Sequence, residues 1–358
     1  MSQLTRIFIV GYMHSGTTLL QSIISSHSSV FSSRGETNFY KNLSYLKKQF
    51  PLSVKSDIIK YIQKCIKIIH GDSIIKLKQP YKNETFYEIY NENTKDIYNI
   101  INTYNHENIF IKTFDYLAKK KNSAHWLEKT PTHLFHLDFI TSLSCVKIFN
   151  IIRDPRDVLS SKKKRKSTVY STSRYSSIAE RKFKSREKTF HPVWDAISWN
   201  ASVNAYENYK DDIFLVKYEN LVCNPEETVR KICSYLELNF ESQMLAQKMI
   251  NPSDDSLLFK TGIKDSSVNS FKNGLNKQEI YIIQQISKGY LGDFGYVVEK
   301  ISLFYKIISL FIILTSPIEF ITRVYKRYRI GGKKLVNQVL YGYLKRAHFI
   351  VKNYFKVS

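Results

Sequence analysis

Arg6-Ile7-Phe8-Ile9-Val10-Gly11-Tyr12-Met13-His14-Ser15-Gly16-Thr17-Thr18 opens the chain's first structured segment. Four consecutive apolar residues with two β-branched Ile read as a core strand. The strand runs into a glycine turn, and Leu19, Leu20, Ile23 and Ile24 then fall on one face of a helix that begins near Thr17. A strand, a glycine turn and a helix N-terminus together present backbone N–H groups and the positive end of a helix to an anion. A purely structural glycine turn is the plainer alternative.

The turn differs from the nucleoside-triphosphatase pattern. Gly11 and Gly16 stand five apart as that pattern asks, but Thr17 occupies the place of its lysine. A second strand, Val146–Ile152, ends in Arg153 and carries no Asp suited to magnesium. Both features argue against ATP or GTP hydrolysis. Hydroxyls without the lysine suit a donor whose transferred group is less charged, and the sulfuryl of a phosphosulfate bears one negative charge.

Arg153-Asp154-Pro155-Arg156-Asp157-Val158-Leu159-Ser160-Ser161 follows the second strand. Ligands of open α/β sheets collect at that edge. An Arg fork with a hydroxyl on the next element can hold a phosphate from two sides, although a structural ion pair would look the same. Ile213–Val216 reads as a third strand, and Asn224-Pro225-Glu226-Glu227 as a helix start. Short β-branched runs alternating with helical patterns predict an α/β fold: a P-loop-type parallel β-sheet flanked by helices.

The domain reading places the main domain at 1–300, with a helical insertion at about 40–125 and a basic one at about 162–190. Lys162–Lys188 holds eleven Lys/Arg against two Glu. Residues 301–358 form a C-terminal helical appendage. Leu303–Ser316 is nearly all apolar apart from Lys306, Pro317 interrupts it, and no acid occurs from Arg323 onward. The run is shorter than the roughly 20 residues of a spanning helix. Two arrangements stay open: an interfacial helix with basic residues on anionic headgroups, and a helical hairpin packed on the main domain. A true span ranks behind both.

The net charge of +23 favours anionic partners, though Lys is abundant throughout. Four cysteines, Cys65, Cys145, Cys223 and Cys233, lack CxxC spacing, and no basic-then-apolar leader precedes the first strand. The expected location is the cytoplasm or the cytoplasmic face of a membrane.

Taken together, the two motifs resemble those of the PAPS-dependent sulfotransferases, in the style of the glycan- and tyrosylprotein-directed members; PAPS is 3′-phosphoadenosine-5′-phosphosulfate. Ser15-Gly16-Thr17-Thr18 is similar to the family's 5′-phosphosulfate loop, and Arg153 to Ser161 to its 3′-phosphate motif. Three further stretches match in order: Trp126 to His133; Val216 to Leu221 with Pro225; and Ser266–Leu275 with Gly295-Tyr296. The resemblance covers roughly 5–298. It implies PAPS as donor, 3′,5′-adenosine bisphosphate (PAP) as product, and no metal. It implies His14, Ser15, Gly16, Thr17, Thr18, Arg153, Ser161 and Lys272 as donor-binding residues. It makes Glu36, in Arg34-Gly35-Glu36-Thr37-Asn38-Phe39, the general base, and Lys129 the cation that steadies the departing phosphate or the sulfuryl oxygens; His133 is a weaker candidate. His14 stands where many relatives carry Arg or Lys, and is expected to contact the donor and share in catalysis. The acceptor is expected to be a hydroxyl or amine, most simply a polysaccharide or glycolipid hydroxyl. Two rivals remain: an atypical P-loop kinase, and a non-catalytic anion or nucleic-acid binder using Lys162–Lys188. No RNP-type aromatic platform supports nucleic-acid binding.

Overall fold

The computed structural model describes residues 4–71, 84–171, 190–246, 262–263, 265–322 and 324–325, with 340 and 344; side chains of 84–90 and 165–171 are not described. The chain runs β1 (Thr5–Gly11), α1 (Thr17–Ser25), β2 (Val30–Ser32), α2 (Phe39–Gln49), α3 (Lys55–Ile69), α4 (Glu84–Ile100), α5 (His106–Lys120) and β3 (His125–Lys129). It continues through α6 (Leu137–Thr141), β4 (Val146–Ile152), α7 (Pro155–Ser171) and β5 (Ile213–Lys217). The five strands form one parallel sheet in the order β2-β3-β1-β4-β5.

A parallel sheet covered on both faces needs strands that are apolar on both sides, which is what Ile7 to Val10 supply. Successive side chains point to opposite faces. Phe8 and Val10 pack with Trp126, Ile148 and helices α2, α3 and α5. Ile7 and Ile9 pack with Leu20, Ile23, Leu127, Val216 and the helix Pro225–Leu236. The 40–125 stretch builds helices α2 to α5 over the first face, and Phe39 stacks on Phe110 at 3.9 Å between ring centres.

β2 and β3 extend the sheet beyond the three strands expected from sequence. β3 reads His-Trp-Leu-Glu-Lys, whose two charged residues hide a strand in which all five are buried. The basic stretch begins as a continuation of α7. Lys162 pairs with Asp195 at 2.5 Å and Lys163 with Glu279 at 2.6 Å, which ties that helix to two neighbours. The rest of the basic stretch, 172–189, and most of the basic tail beyond 325 lie outside the described residues. Pro317 does not interrupt the apolar run: one helix spans Leu303–Thr322. Proline removes one helical N–H there, and the turn around it is anchored from outside. Trp194 donates its indole N–H to the Ser316 carbonyl at 3.2 Å and packs on Phe320 at 5.0 Å.

Candidate active site

The chain steps from β1 outward to β2 and β3, then crosses to β4 and β5 on the other side of β1. That reversal opens a crevice at the C-terminal strand ends, the usual ligand position of such sheets. The 12–16 loop occupies it. Gly11 has φ +150°, and a side chain there would lie 2.7 Å from the Ile151 carbonyl. Gly16 has φ +100°, and its Cβ would lie 2.4 Å from the Tyr218 ring. Both glycines are therefore required by close approach as well as by conformation. His14 adopts a left-handed φ of 68°, and its carbonyl accepts from Arg153 Nη1 at 3.3 Å. Helix α1 starts after Gly16 without a side-chain cap. Its first-turn N–H groups have no intrahelical partner, which leaves them as donors at the end of the loop.

Three residues from separate parts of the chain converge beside this loop. Lys129, the last residue of β3, places Nζ 2.9 Å from Glu36 Oε1 and 3.5 Å from Thr18 Oγ1. Lys129 is buried and Glu36 is half-exposed, so the pair joins the interior to the open crevice. The register that puts Lys129 opposite Ile9 of β1 sets this reach.

The segment bearing Glu36 is clamped from beneath by Glu128, which is fully buried. Its Oε1 accepts the hydroxyls of Thr37 at 2.7 Å and Thr130 at 2.6 Å. Its Oε2 lies 2.9 Å from His133 Nδ1. The Tyr40 N–H points to His133 Nε2 at 3.4 Å, which leaves Nδ1 as the donor to Glu128. Burial pushes the Glu128 carboxyl up, but His133 and the two hydroxyls outweigh it and hold it below the ordinary value. Thr130 also accepts the Asn38 N–H at 3.1 Å. His133 is thus a buried partner of Glu128 and does not reach the crevice as a separate acid or base.

On the β4 side, Arg153 stacks on the Tyr218 ring at 4.3 Å and donates to the Ser267 carbonyl at 2.7 Å. Asp157, in the first turn of α7, accepts the N–H groups of Asn269 and Phe271 at 2.9 and 2.8 Å and the Ser270 hydroxyl at 3.1 Å. Burial raises its carboxyl above the usual range, and Arg153 opposes that rise. The late segment 265–275 is thereby fastened over α7. Gly274 approaches Ser160 so closely that a Cβ would sit 1.9 Å from its hydroxyl oxygen. Ser161 is buried on the same helix. Lys272 lies on the docked segment, but its side chain is 56% exposed and Nζ pairs with Glu299 at 3.1 Å, not with the loop residues.

Three buried polar atoms here lack a hydrogen-bond partner among the described residues: Ser15 Oγ, Arg153 Nε and Ser160 Oγ. Leaving such groups unpaired costs about 1–3 kcal/mol each. Ser15 and Arg153 lie in the two motifs at the crevice, so the residues present fit a donor that carries phosphate and sulfonate oxygens. Asp157, Tyr218 and Glu128 were not assigned positioning roles from sequence, although each stands inside a quoted motif. Only their packing identifies them.

The model of the Sulfotransferase family matches residues 6–242. No curated protein matches the chain in sequence. Among solved structures, the sulfotransferase domain from the curacin biosynthetic pathway aligns at 16% identity over 83% of this chain and all of that one, with a TM-score of 0.45. The sulfotransferase domain of the Synechococcus PCC 7002 olefin synthase aligns at 15% over 81% of this chain and 96% of that one, with a TM-score of 0.46. A mouse sulfotransferase complexed with PAP aligns at 13% over 82% and 86%, with a TM-score of 0.39.

Proposed function

This chain belongs to the sulfotransferase family and is a PAPS-dependent sulfotransferase, and on that premise we propose that Glu36 and Lys129 carry the transfer to a hydroxyl of a polysaccharide or glycolipid. The observation that carries the reading is the meeting of Lys129, Glu36 and Thr18 within hydrogen-bonding distance at the loop.

PAPS supplies a sulfuryl group already activated on a phosphate leaving group. The residues of the 12–18 loop hold the phosphosulfate end through helix-terminal N–H groups and the Ser15, Thr17 and Thr18 hydroxyls. Arg153 and Ser161 hold the 3′-phosphate, and His14 turns the loop toward Arg153. Glu36 takes the proton from the acceptor oxygen as that oxygen attacks sulfur in line. The bond from sulfur to the bridging oxygen breaks, and its electron pair leaves with PAP. Lys129 and the loop N–H groups meet the charge that grows on that oxygen.

The acceptor reading is supported by charge. Lys162–Lys188 continues from the donor motif, and its cations suit an anionic glycan. We further propose a cytoplasmic site, on the ground that the four cysteines lack the paired spacing of a disulfide frame.

Calorimetric titration with PAP in EDTA tests the donor site. Wild type is expected to bind, and Arg153→Ala to lose binding. Glu36→Gln is expected to keep PAP affinity while turnover falls about 10²–10⁴-fold. Folded wild type that ignores PAP would sink the donor assignment, and an undiminished turnover in Glu36→Gln would remove the base.

A further inference from the structure

Among the described residues, the helix Leu303–Thr322 meets the main domain along one face only. Ser309 and Ser316 on that face are buried, and Ser309 donates to the Gln278 carbonyl at 3.3 Å. Trp194 reaches the Ser316 carbonyl, and His191 Nε2 lies 3.2 Å from Glu319. The opposite face carries Ile307, Leu310, Phe311, Leu314, Ile318 and Ile321, each 57–70% exposed. Their spacing of three and four residues aligns them in one stripe along the helix. A core helix buries such a stripe, and a solvated helix does not carry one.

We propose that this stripe lies in the plane of an anionic membrane surface, with the catalytic domain resting on the bilayer through its C-terminal helix. Two observations choose this occupant. The residues that follow, 323–358, contain ten Lys/Arg and no Asp or Glu, which complements acidic headgroups. The inner face is joined to the domain by the Trp194, Gln278 and His191 contacts, all of which would have to break before the helix could cross the bilayer. An in-plane helix keeps them and covers the stripe with acyl chains. The supporting helices Pro192–Glu207 and Lys277–Ile286 also receive Lys162 and Lys163 of α7 through Asp195 and Glu279. The start of the basic stretch is therefore braced by the same two helices as the membrane-facing one. This placement stands whatever the acceptor is.

The test is flotation of the full chain with vesicles of phosphatidylcholine mixed with phosphatidylglycerol, against phosphatidylcholine alone. Wild type is expected to float with the anionic vesicles, and the double variant Leu310→Glu, Phe311→Glu to bind about tenfold less with an unchanged melting curve. The milder Phe311→Ser moves the same way. Wild type that stays soluble beside anionic vesicles, or a double variant that floats like wild type, overturns the proposal. Protection of the C-terminal tail from protease added outside sealed vesicles would make the helix a span and overturn it equally. So would a wild-type dimer that ignores vesicles and that the double variant turns into a monomer, because the stripe would then bind a second copy.

Discussion

Glu128 and Glu36 show how two carboxylates on neighbouring residues of one site, Glu128 beside Lys129 and Glu36 beside Thr37, take different duties. Glu36 is half-exposed on a cation at the crevice, whereas Glu128 is buried on two hydroxyls and an imidazole. Glu36 and Lys129 could be singled out from the sequence because each sits in a motif that resembles a family pattern; that they meet at 2.9 Å could not. Glu128 was not, since a glutamate beside a lysine in the chain reads as surface until the strand is seen to be buried. Glu128→Gln places an amide NH₂ among groups that donate, and about 1–3 kcal/mol of stability should be lost. Because its folded pKa lies below the ordinary 4.5, Glu128 stabilises the fold above that pH. That contribution drains as pH falls from 4.5 through the lowered value. Thermal melts taken from neutral pH downward should show this acid limb in wild type and lack it in Glu128→Gln. A variant that melts like wild type at neutral pH would mean that the clamp carries no load.

At the scale of elements, the site depends on one contact between the turn after β1 and the segment after β5. Tyr218 fills the space a side chain at Gly16 would need, and its other role is to carry the Arg153 guanidinium. Gly16→Ala would force a left-handed alanine against the ring and push Tyr218 away from Arg153. We expect the melting temperature to fall, and PAP affinity measured well below it to drop by more than about tenfold, the equivalent of 1.4 kcal/mol. Retained affinity would show that Arg153 keeps its position without the ring. The glycine itself was readable as part of a phosphate-cradling turn. Its partner was not, because nothing in the spacing from 16 to 218 says that these two meet. Lys272 shows the reverse case: a lysine in the right motif whose Nζ is drawn to Glu299 on the surface.

Across the whole molecule, Arg156 joins the start of α7 to the end of the domain. It is buried, pairs with Asp154 at 2.6 Å, and donates to Gln284 at 2.8 Å and to the Val297 carbonyl at 2.7 Å. It also stacks on Phe271 at 4.3 Å. Arg156→Ala strands a buried carboxylate and two acceptors, and should cost about 3–5 kcal/mol. Chemical denaturation would read this as a lower midpoint with an unchanged slope. A loss below 1 kcal/mol would mean that water replaces the guanidinium. The sequence by itself determined the parallel α/β class and singled out the loop at 11–18, the Arg153 motif, Glu36 and Lys129 as the residues to test. Those are local signals, carried by apolar runs, glycine turns and residue types at short spacing. The tertiary structure alone decided the five-strand order, the burial of Glu128 and Asp157, the Tyr218 wedge and the outward apolar stripe of the helix Leu303–Thr322. Each of these depends on which distant segments exclude water together, and burial is a property of the packed molecule, not of any stretch of it.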